Sequence, residues 1–298
     1  MSFGAAIDDM AASGVTNSED RPEPSRLPSR LDDLGPRIAS SIVLIVLGLT
    51  VAVHGGPWIA GATGGAAVVM SYEWARMSEP RALASAFVFC VIGALGAVMA
   101  ASWGYYAHAF VWMAACGAGS ALRRRSFSGV IETAGGIVYV GAPCVLFLAL
   151  RAHDPGGLTI ILGLFSIIWT ADAAAYFGGK LIGGPKLVPQ LSPAKTWSGF
   201  ASGAAAGMAA AAVFGAAVGG ALAPWCFVGF ILALVGLLGD LFESLLKRRF
   251  GVKDASRIIP GHGGVLDRID GLMAATVVTA TVLTLSPDTL PALLGGVG

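Results

Sequence analysis

The stretch Ala223-Pro-Trp-Cys-Phe-Val-Gly-Phe-Ile-Leu-Ala-Leu-Val-Gly-Leu-Leu-Gly-Asp-Leu-Phe-Glu-Ser-Leu245 is almost wholly apolar, yet it holds two acidic residues near its end. A helix needs about 20 apolar residues to cross the hydrocarbon core of a bilayer, so this stretch is long enough. An ionised carboxylate near lipid depth is expensive and is usually paired or functional. The stretch therefore predicts a transmembrane helix whose inner end carries chemistry, at Asp240 and Glu243.

The composition extends this interpretation to the whole chain. Of the 298 residues, 55% are hydrophobic and 12% are charged, and the mean hydropathy is +0.75. A soluble protein is about a quarter charged, so a cytosolic enzyme, a disordered chain and a disulfide-stapled secreted domain are excluded. We predict an all-α, polytopic transmembrane helix bundle. Its nine predicted spans are 38–54, 57–75, 82–102, 104–122, 130–150, 158–178, 198–219, 223–245 and 267–286.

The basic residues indicate the orientation of these spans. With the N-terminus in the cytoplasm, every one of the 19 Lys and Arg residues except Arg151 falls in a cytoplasmic segment, as the positive-inside rule requires. We therefore predict a cytoplasmic N-terminus. The predicted domains are a disordered cytoplasmic tail (1–36), N-terminal spans (37–157), catalytic spans with cytoplasmic loops (158–288) and a short C-terminal tail (289–298).

The longer polar segment, 239–270, places carboxylates at two helix ends. Asp240 and Glu243 are three residues apart and therefore share one helical face, and Asp267 and Asp270 have the same spacing. Two facing helix ends that each offer a carboxylate can hold a divalent cation. Mg²⁺ suits such a site best, because it needs only one or two carboxylates together with substrate phosphates.

Basic and flexible residues surround these acids. The bare amides of Pro260-Gly-His-Gly-Gly264 suit an approach to phosphate oxygens, and His262 suits hydrogen-bond donation or proton transfer. Taken singly, each Lys or Arg is more typical of a positive-inside loop. As a group, they would neutralise a polyphosphate: Lys247, Arg248, Lys253, Arg257 and Arg268.

A shorter polar segment connects the sixth and seventh predicted spans. It begins at Asp172, which we expect to be buried by its apolar flanks, and it ends with Ser192-Pro-Ala-Lys-Thr196. Ser192 or Thr196 would make a good N-cap for the seventh span. Lys195 beside a helix N-terminus is a poor match to the helix dipole, and a bound anion would repair the mismatch.

These two segments resemble a known family. Residues 244–270 contain Ser-x-x-Lys-Arg, Lys-Asp, Pro-x-His-Gly-Gly and Asp-Arg-x-Asp, with gaps similar to the signature of the phosphatidate cytidylyltransferases, or CDP-diacylglycerol synthases. Asp172-x-x-Ala-Tyr-Phe-x-Gly and Ser192-Pro-x-Lys-Thr-Trp look like the same family. The resemblance covers roughly 165–285, and the first half matches only in hydropathy and in Tyr72-Glu-Trp74. Ser198 departs from the acidic residue that many members carry there.

The resemblance implies a reaction in which CTP and phosphatidic acid give CDP-diacylglycerol and pyrophosphate. It implies Mg²⁺ held by acidic residues, with a second cation such as K⁺ sharing the site. It also implies a homodimer among membrane lipids of the cell (inner) membrane, with the active site facing the cytoplasm, and no nucleic-acid partner.

By matching motifs, the resemblance places Asp240 and Asp267 as metal ligands, with Glu243 and Asp270 behind them. The predicted catalytic residues are Asp240, Asp267, Lys247, Arg268 and His262. The predicted substrate-binding residues are Asp172, Ser192, Lys195, Thr196, Ser244, Arg248 and Lys253.

Two other functions remain open at this point. Asp267-Arg-Ile-Asp-Gly271 with Ala274 is similar to the opening of the CDP-alcohol phosphotransferase motif, but Ala275 stands where that motif needs Arg. An ion or solute transporter would use Asp172, Asp240 and Glu243 as a cation path, although it would distribute polar residues through the membrane.

Two further acids, Glu73 and Glu132, lie outside the polar segments. We expect both to be interfacial residues rather than partners of the site.

Overall fold

The computed structural model describes residues 34–123, 126–256, 258–259 and 263–294. Helices dominate these residues, so the predicted all-α bundle is confirmed. The helices are α1 (Leu34–His54), α2 (Gly56–Ser78), α3 (Leu83–Ser102), α4 (Tyr106–Gly119), α5 (Phe127–Arg151), α6 (Gly157–Leu181), α7 (Trp197–Ala217), α8 (Leu222–Arg249), α9 (Leu266–Leu285) and α10 (Thr289–Leu293).

Helices α1 to α9 follow the nine predicted runs in order. Within the described residues, six of them are long and apolar enough to cross a membrane: α3, α5, α6, α7, α8 and α9. Helix α4 has 14 residues and is about 21 Å long, shorter than a hydrocarbon core of roughly 30 Å. The count of nine spans and the cytoplasmic N-terminus stay predictions. Of the predicted disordered tail, 1–36, residues 1–33 lie outside the described residues.

A small antiparallel hairpin connects α6 to α7, within the shorter polar segment, for which the sequence predicts no strands. Its strands are β1 (Lys186–Val188) and β2 (Ser192–Thr196), and Lys186 is paired with Thr196. The predicted N-cap of the seventh span is confirmed at Thr196, whose hydroxyl accepts a hydrogen bond from the Gly199 amide at 3.1 Å. Ser192 lies within β2 and does not cap the helix.

Arg151, the exception to the predicted charge pattern, has a structural role. Its guanidinium donates to the carbonyl oxygens of Ala52 at 2.7 Å and Val53 at 3.3 Å, which end helix α1. The last carbonyls of a helix have no partner within that helix, and a cation interacts favourably with them. Arg151 therefore stabilises the end of α1.

Glycines allow α7 to lie close to both α6 and α8. A Cβ on Gly203 would lie 2.9 Å from the carbonyl oxygen of Ala171, and one on Gly207 would lie 3.0 Å from the Cβ of Ala233. Small residues permit such close helix packing in a membrane. The buried residues of this face are Gly199, Gly203, Ala204, Gly207, Ala211 and Gly215.

Candidate active site

A polar cavity of about 630 Å³ lies among α6, α7, α8, α9 and the hairpin. Its volume is in the range of small-molecule sites. Seven of the twelve predicted site residues line the cavity: Asp172, Lys195, Thr196, Asp240, Lys247, Asp267 and Arg268. Its charged lining residues are Asp172, Lys180, Lys186, Lys195, Asp240, Lys247, Asp254, Asp267, Arg268 and Asp270.

Lys195 and Asp240 form an ion pair across the cavity wall. The Lys195 ammonium lies 2.6 Å from a carboxylate oxygen of Asp240 and 3.4 Å from the carbonyl oxygen of Leu237. The Ser244 hydroxyl donates to the other Asp240 oxygen at 3.5 Å. The anion that compensates Lys195 at the start of α7 is thus a carboxylate of α8.

Asp267 forms the second ion pair and also holds the preceding loop. One carboxylate oxygen lies 2.6 Å from the Lys247 ammonium. The other accepts hydrogen bonds from the amides of Gly264 at 2.9 Å and Ala255 at 3.2 Å. Hydrogen bonds to an ionised acceptor are the stronger kind, so Asp267 fixes both Lys247 and the loop before α9.

Glu243 lies behind these pairs and is fully buried. Among the described residues, no backbone amide or cationic side chain donates a hydrogen bond to its carboxylate, and the carboxyl group of Asp270 lies within hydrogen-bonding reach. The nearest cation is Lys247 at 3.6 Å, and Asp270 and Asp267 are close enough to interact with Glu243 electrostatically. The cluster therefore contains a buried carboxyl group whose charged neighbours are the Lys247 ammonium and two other acids.

The structure corrects the expectation for Glu73, which is fully buried rather than interfacial. Its carboxylate accepts hydrogen bonds from the Val265 amide at 2.9 Å, the Leu266 amide at 2.8 Å and the Ser256 hydroxyl at 2.5 Å. Helix α9 lacks a side-chain cap of its own, so Glu73 of α2 supplies one. The only sequence signal for this role was the short match at Tyr72-Glu-Trp74.

The Gly-Gly pair before α9 also has a structural explanation. A Cβ on Gly264 would lie 2.7 Å from the Glu73 carboxylate, and Gly263 has a φ of +84°, which glycine adopts most easily. The Gly264 amide, predicted to approach phosphate, donates to Asp267 instead. The predicted catalytic His262, like Arg257, lies outside the described residues.

Four predicted substrate-binding residues do not line the cavity: Ser192, Ser244, Arg248 and Lys253. Arg248 and Lys253 are exposed, and the Ser244 hydroxyl donates a hydrogen bond to the Asp240 carboxylate. Asp172 is exposed to the cavity rather than buried by its flanks, which corrects that expectation.

Two other polar residues flank the site. Ser198, the position where the chain departs from its resemblance, donates a hydrogen bond to the Gly183 carbonyl oxygen and so holds the turn before β1. Glu132, which we expect to be interfacial, is half-buried and lies 3.8 Å from Arg249.

The chemistry of the cluster suits a hard divalent cation. Around the two ion pairs, five carboxyl groups interact with three cationic side chains, so carboxyl groups are in excess in this part of the cavity. The five are Asp172, Asp240, Glu243, Asp267 and Asp270. No three His, Cys, Asp or Glu side chains of the described residues converge in the way a metal cage needs. Mg²⁺ needs no such cage, because one or two carboxylates and substrate phosphates are enough for it.

Together, the fold and the site define a polytopic helical membrane protein with a charged cavity at one end of its spans. The sequence model of the cytidylyltransferase family matches residues 36–286. The chain therefore belongs to the cytidylyltransferase family, and the prediction that it is an enzyme of this kind is confirmed.

Curated relatives agree with this assignment. A phosphatidate cytidylyltransferase of Brucella suis is 37% identical over 253 residues, which cover 83% of this chain and 92% of the relative. One of Brucella abortus is 36% identical over 270 residues, covering 88% and 98%. One of Haemophilus influenzae is 41% identical over 146 residues, covering 47% and 51%.

Proposed function

We propose that this chain transfers the cytidylyl group of CTP to phosphatidic acid and so produces CDP-diacylglycerol and pyrophosphate. The main structural support for this proposal is that two ion pairs, Lys195–Asp240 and Lys247–Asp267, face one cavity at the ends of apolar helices. The family and the names of the relatives supply the substrates.

In the proposed reaction, a phosphate oxygen of the lipid attacks the α-phosphorus of CTP. The bond between the α-phosphorus and the oxygen bridging to the β-phosphate breaks, and pyrophosphate leaves with that electron pair. No covalent intermediate with the enzyme is needed, so catalysis consists of positioning and charge compensation. Lys195, Lys247 and Arg268 line the cavity and would offset the negative charge of the two substrates.

We propose that Asp240 and Asp267 would bind Mg²⁺ directly. Glu243 and Asp270 would support these two ligands without binding the metal themselves, and a second cation such as K⁺ would share the site. Bound there, Mg²⁺ would polarise the phosphoryl oxygens and balance their charge. In the present arrangement each of the two aspartates pairs with a lysine, so a metal would share those carboxylates with the lysines.

The location belongs to the same proposal. CTP is made in the cytosol, and the positive-inside pattern supports a location of the cavity at the cytoplasmic face of the inner membrane. The protein acts there among membrane lipids as a homodimer.

The two alternative functions are less well supported. Ala275, which stands where a CDP-alcohol phosphotransferase needs Arg, is fully buried in the apolar core. A transporter needs a polar path, but the far halves of α6, α8 and α9 surround a second cavity with an almost entirely apolar lining, which includes Leu164, Ile231 and Val282.

The direct test supplies the purified protein with CTP labelled in the cytidine, phosphatidic acid and Mg²⁺. We expect label in the organic phase, and we expect EDTA to abolish its appearance. A folded, lipid-supplied sample that transfers no label would overturn the proposal. Labelled CDP-diacylglycerol offered with a range of alcohols would then test the phosphotransferase.

A further inference from the structure

We infer that Lys180 and Lys186 bind the phosphate of the lipid substrate, which reaches them sideways from the membrane across an exposed apolar patch. This inference rests on the proposed function and deepens it, because it divides the one cavity into a lipid end and a nucleotide end.

The two lysines stand at the edge of the cavity. Lys180 occupies the last turn of α6, and its ammonium lies 5.6 Å from the centroid of the Tyr176 ring. Lys186 opens strand β1, beside the start of α7. Both side chains line the cavity, and both are exposed.

These lysines differ from the two inside the cavity in their charge environment. Lys195 and Lys247 each lie 2.6 Å from a carboxylate. No described carboxylate lies within 4.0 Å of Lys180 or Lys186. Their charge is therefore available to an incoming anion without the loss of an internal ion pair.

An apolar patch, which we call the rim patch, surrounds the same edge. An isolated apolar side chain on a surface needs no explanation, but a contiguous group marks a contact with a membrane or a partner. Aromatic rings interspersed with lysines are typical of the level of the lipid headgroups. The residues of the rim patch are Tyr176, Phe177, Leu181, Ile182 and Trp197, and each of them is more than half exposed.

The rim patch indicates which of the two anionic substrates, phosphatidic acid or CTP, binds to the lysines. Tyr176 belongs both to the patch and to the cavity lining, so the apolar surface continues into the cavity. A lipid phosphate at Lys180 and Lys186 would leave its glycerol and acyl chains against the patch. CTP has no apolar chain to place there, and its triphosphate suits the end where carboxylates and lysines can jointly hold a metal.

The test measures KM for each substrate separately, in mixed micelles of phosphatidic acid and a neutral detergent. A lysine near an anionic lipid surface contributes enough binding energy for about a fivefold change in affinity. We expect K180Q and K186Q each to raise KM for phosphatidic acid about fivefold and to leave KM for CTP unchanged. Arg81→Gln removes one exposed charge from the turn after α2 and serves as the matched control.

Two results would overturn the inference. One is a rise in KM for CTP alone, and the other is an unchanged KM for both substrates in the double variant. The charge-preserving double variant K180R/K186R, expected to keep the wild-type KM, controls for misfolding.

The transfer of cytidine label to lipid by the wild-type protein tests the proposed function independently of the two lysines. Retention of radiolabelled phosphatidic acid, relative to phosphatidylcholine, by the immobilised protein tests the two lysines without turnover. If the wild-type protein and the double variant retain the same amount, the inference fails even where label transfer succeeds.

Discussion

Asp240 illustrates how one residue can serve both the structure and the chemistry of this site. Its carboxylate pairs with Lys195, but the side chain is 44% exposed to the cavity, so it remains accessible to substrate and metal. An exposed pair of this kind adds little stability. Its position in the cavity therefore points to a role in charge compensation.

We expect Asp240→Asn to lower the transfer rate by about a hundredfold or more, since a positioned charge is worth about that much in comparable enzymes. The melting temperature in detergent should change little. The Mg²⁺ concentration for half-maximal rate should rise. Asp288→Asn, beyond the far end of α9, is the matched control. Unchanged Mg²⁺ dependence in both Asp240→Asn and Asp267→Asn would contradict the metal assignment.

Asp267 should behave differently, because its ion pair is nearly buried. The exposed fractions are 13% for the Lys247 side chain and 8% for that of Asp267. Removal of Asp267 leaves the Lys247 ammonium with Glu243 at 3.6 Å as its nearest carboxylate, and breaking a buried pair costs about 3–5 kcal/mol. We therefore expect Asp267→Asn to lower both activity and the free energy of unfolding. Chemical denaturation in detergent would measure the latter, with Asp254→Asn, an exposed acid of the same cavity, as the control.

Glu73 and Gly264 offer a test through a double-mutant cycle. In the wild type, Gly264→Ala must displace the Glu73 carboxylate, because the new Cβ would lie 2.7 Å from it. With Glu73→Ala in place, the two shortest contacts of the new Cβ are gone and the Cβ of Ala255, at 3.1 Å, is the one that remains. We expect each single substitution to destabilise the protein by about 1–3 kcal/mol and the pair to cost clearly less than the sum.

Thermal unfolding of the wild type, the two single variants and the double variant measures this coupling energy. The loss of transfer activity should rank these proteins in the same order as the loss of stability. Glu132→Gln controls for the loss of a carboxylate at a half-buried site on α5. Strict additivity would show that Glu73 and Gly264 act independently.

These residues show which part of the site the sequence could predict. Asp240, Asp267 and Lys247 lie in short local patterns, so the sequence could predict that they share one polar region, and all three line the cavity. Their partners depend on how distant elements meet. Glu73 and Leu266 are 193 positions apart, and no pattern within one helix could indicate that pairing.

At the scale of elements, the glycine face of α7 holds the cavity together. We expect Gly207→Leu to destabilise the protein by about 1–3 kcal/mol, since overpacking forces neighbouring side chains and backbone to move. Activity should fall as well, because the change separates α7 from Ala233 of α8. Gly61→Leu is the matched control, since a Cβ on Gly61 has no heavy atom within 4 Å. Equal effects of the two substitutions on melting temperature and rate would contradict this role of α7.

Hydropathy predicted the positions of the long helices well, because apolar length alone determines them. It did not predict the hairpin between α6 and α7, whose strands are short and rich in Lys, Pro and Ser. Nor did it predict that α4 would have only 14 residues, because its apolar run continues beyond the point where the helix ends.

At the scale of the whole molecule, the charged side chains of the candidate site and the apolar cavity lie at opposite ends of the same helices. The charged cavity lies at one end of α6, α8 and α9, and the apolar cavity lies toward the other. The 20 residues of α9 span about 30 Å, enough to separate the two ends by the thickness of a hydrocarbon core. The face of the membrane at which α9 begins therefore decides where the proposed reaction takes place.

That face can be tested with Lys253→Cys and Ser286→Cys, two exposed positions that flank α9 at opposite ends. We expect a membrane-impermeant maleimide to label Ser286→Cys on intact cells and Lys253→Cys only after permeabilisation. The parent protein, whose four cysteines are buried or half-buried, gives the background. The reverse pattern would place the cavity on the side that lacks cytosolic CTP, and the proposed function would fail whatever the cavity's chemistry.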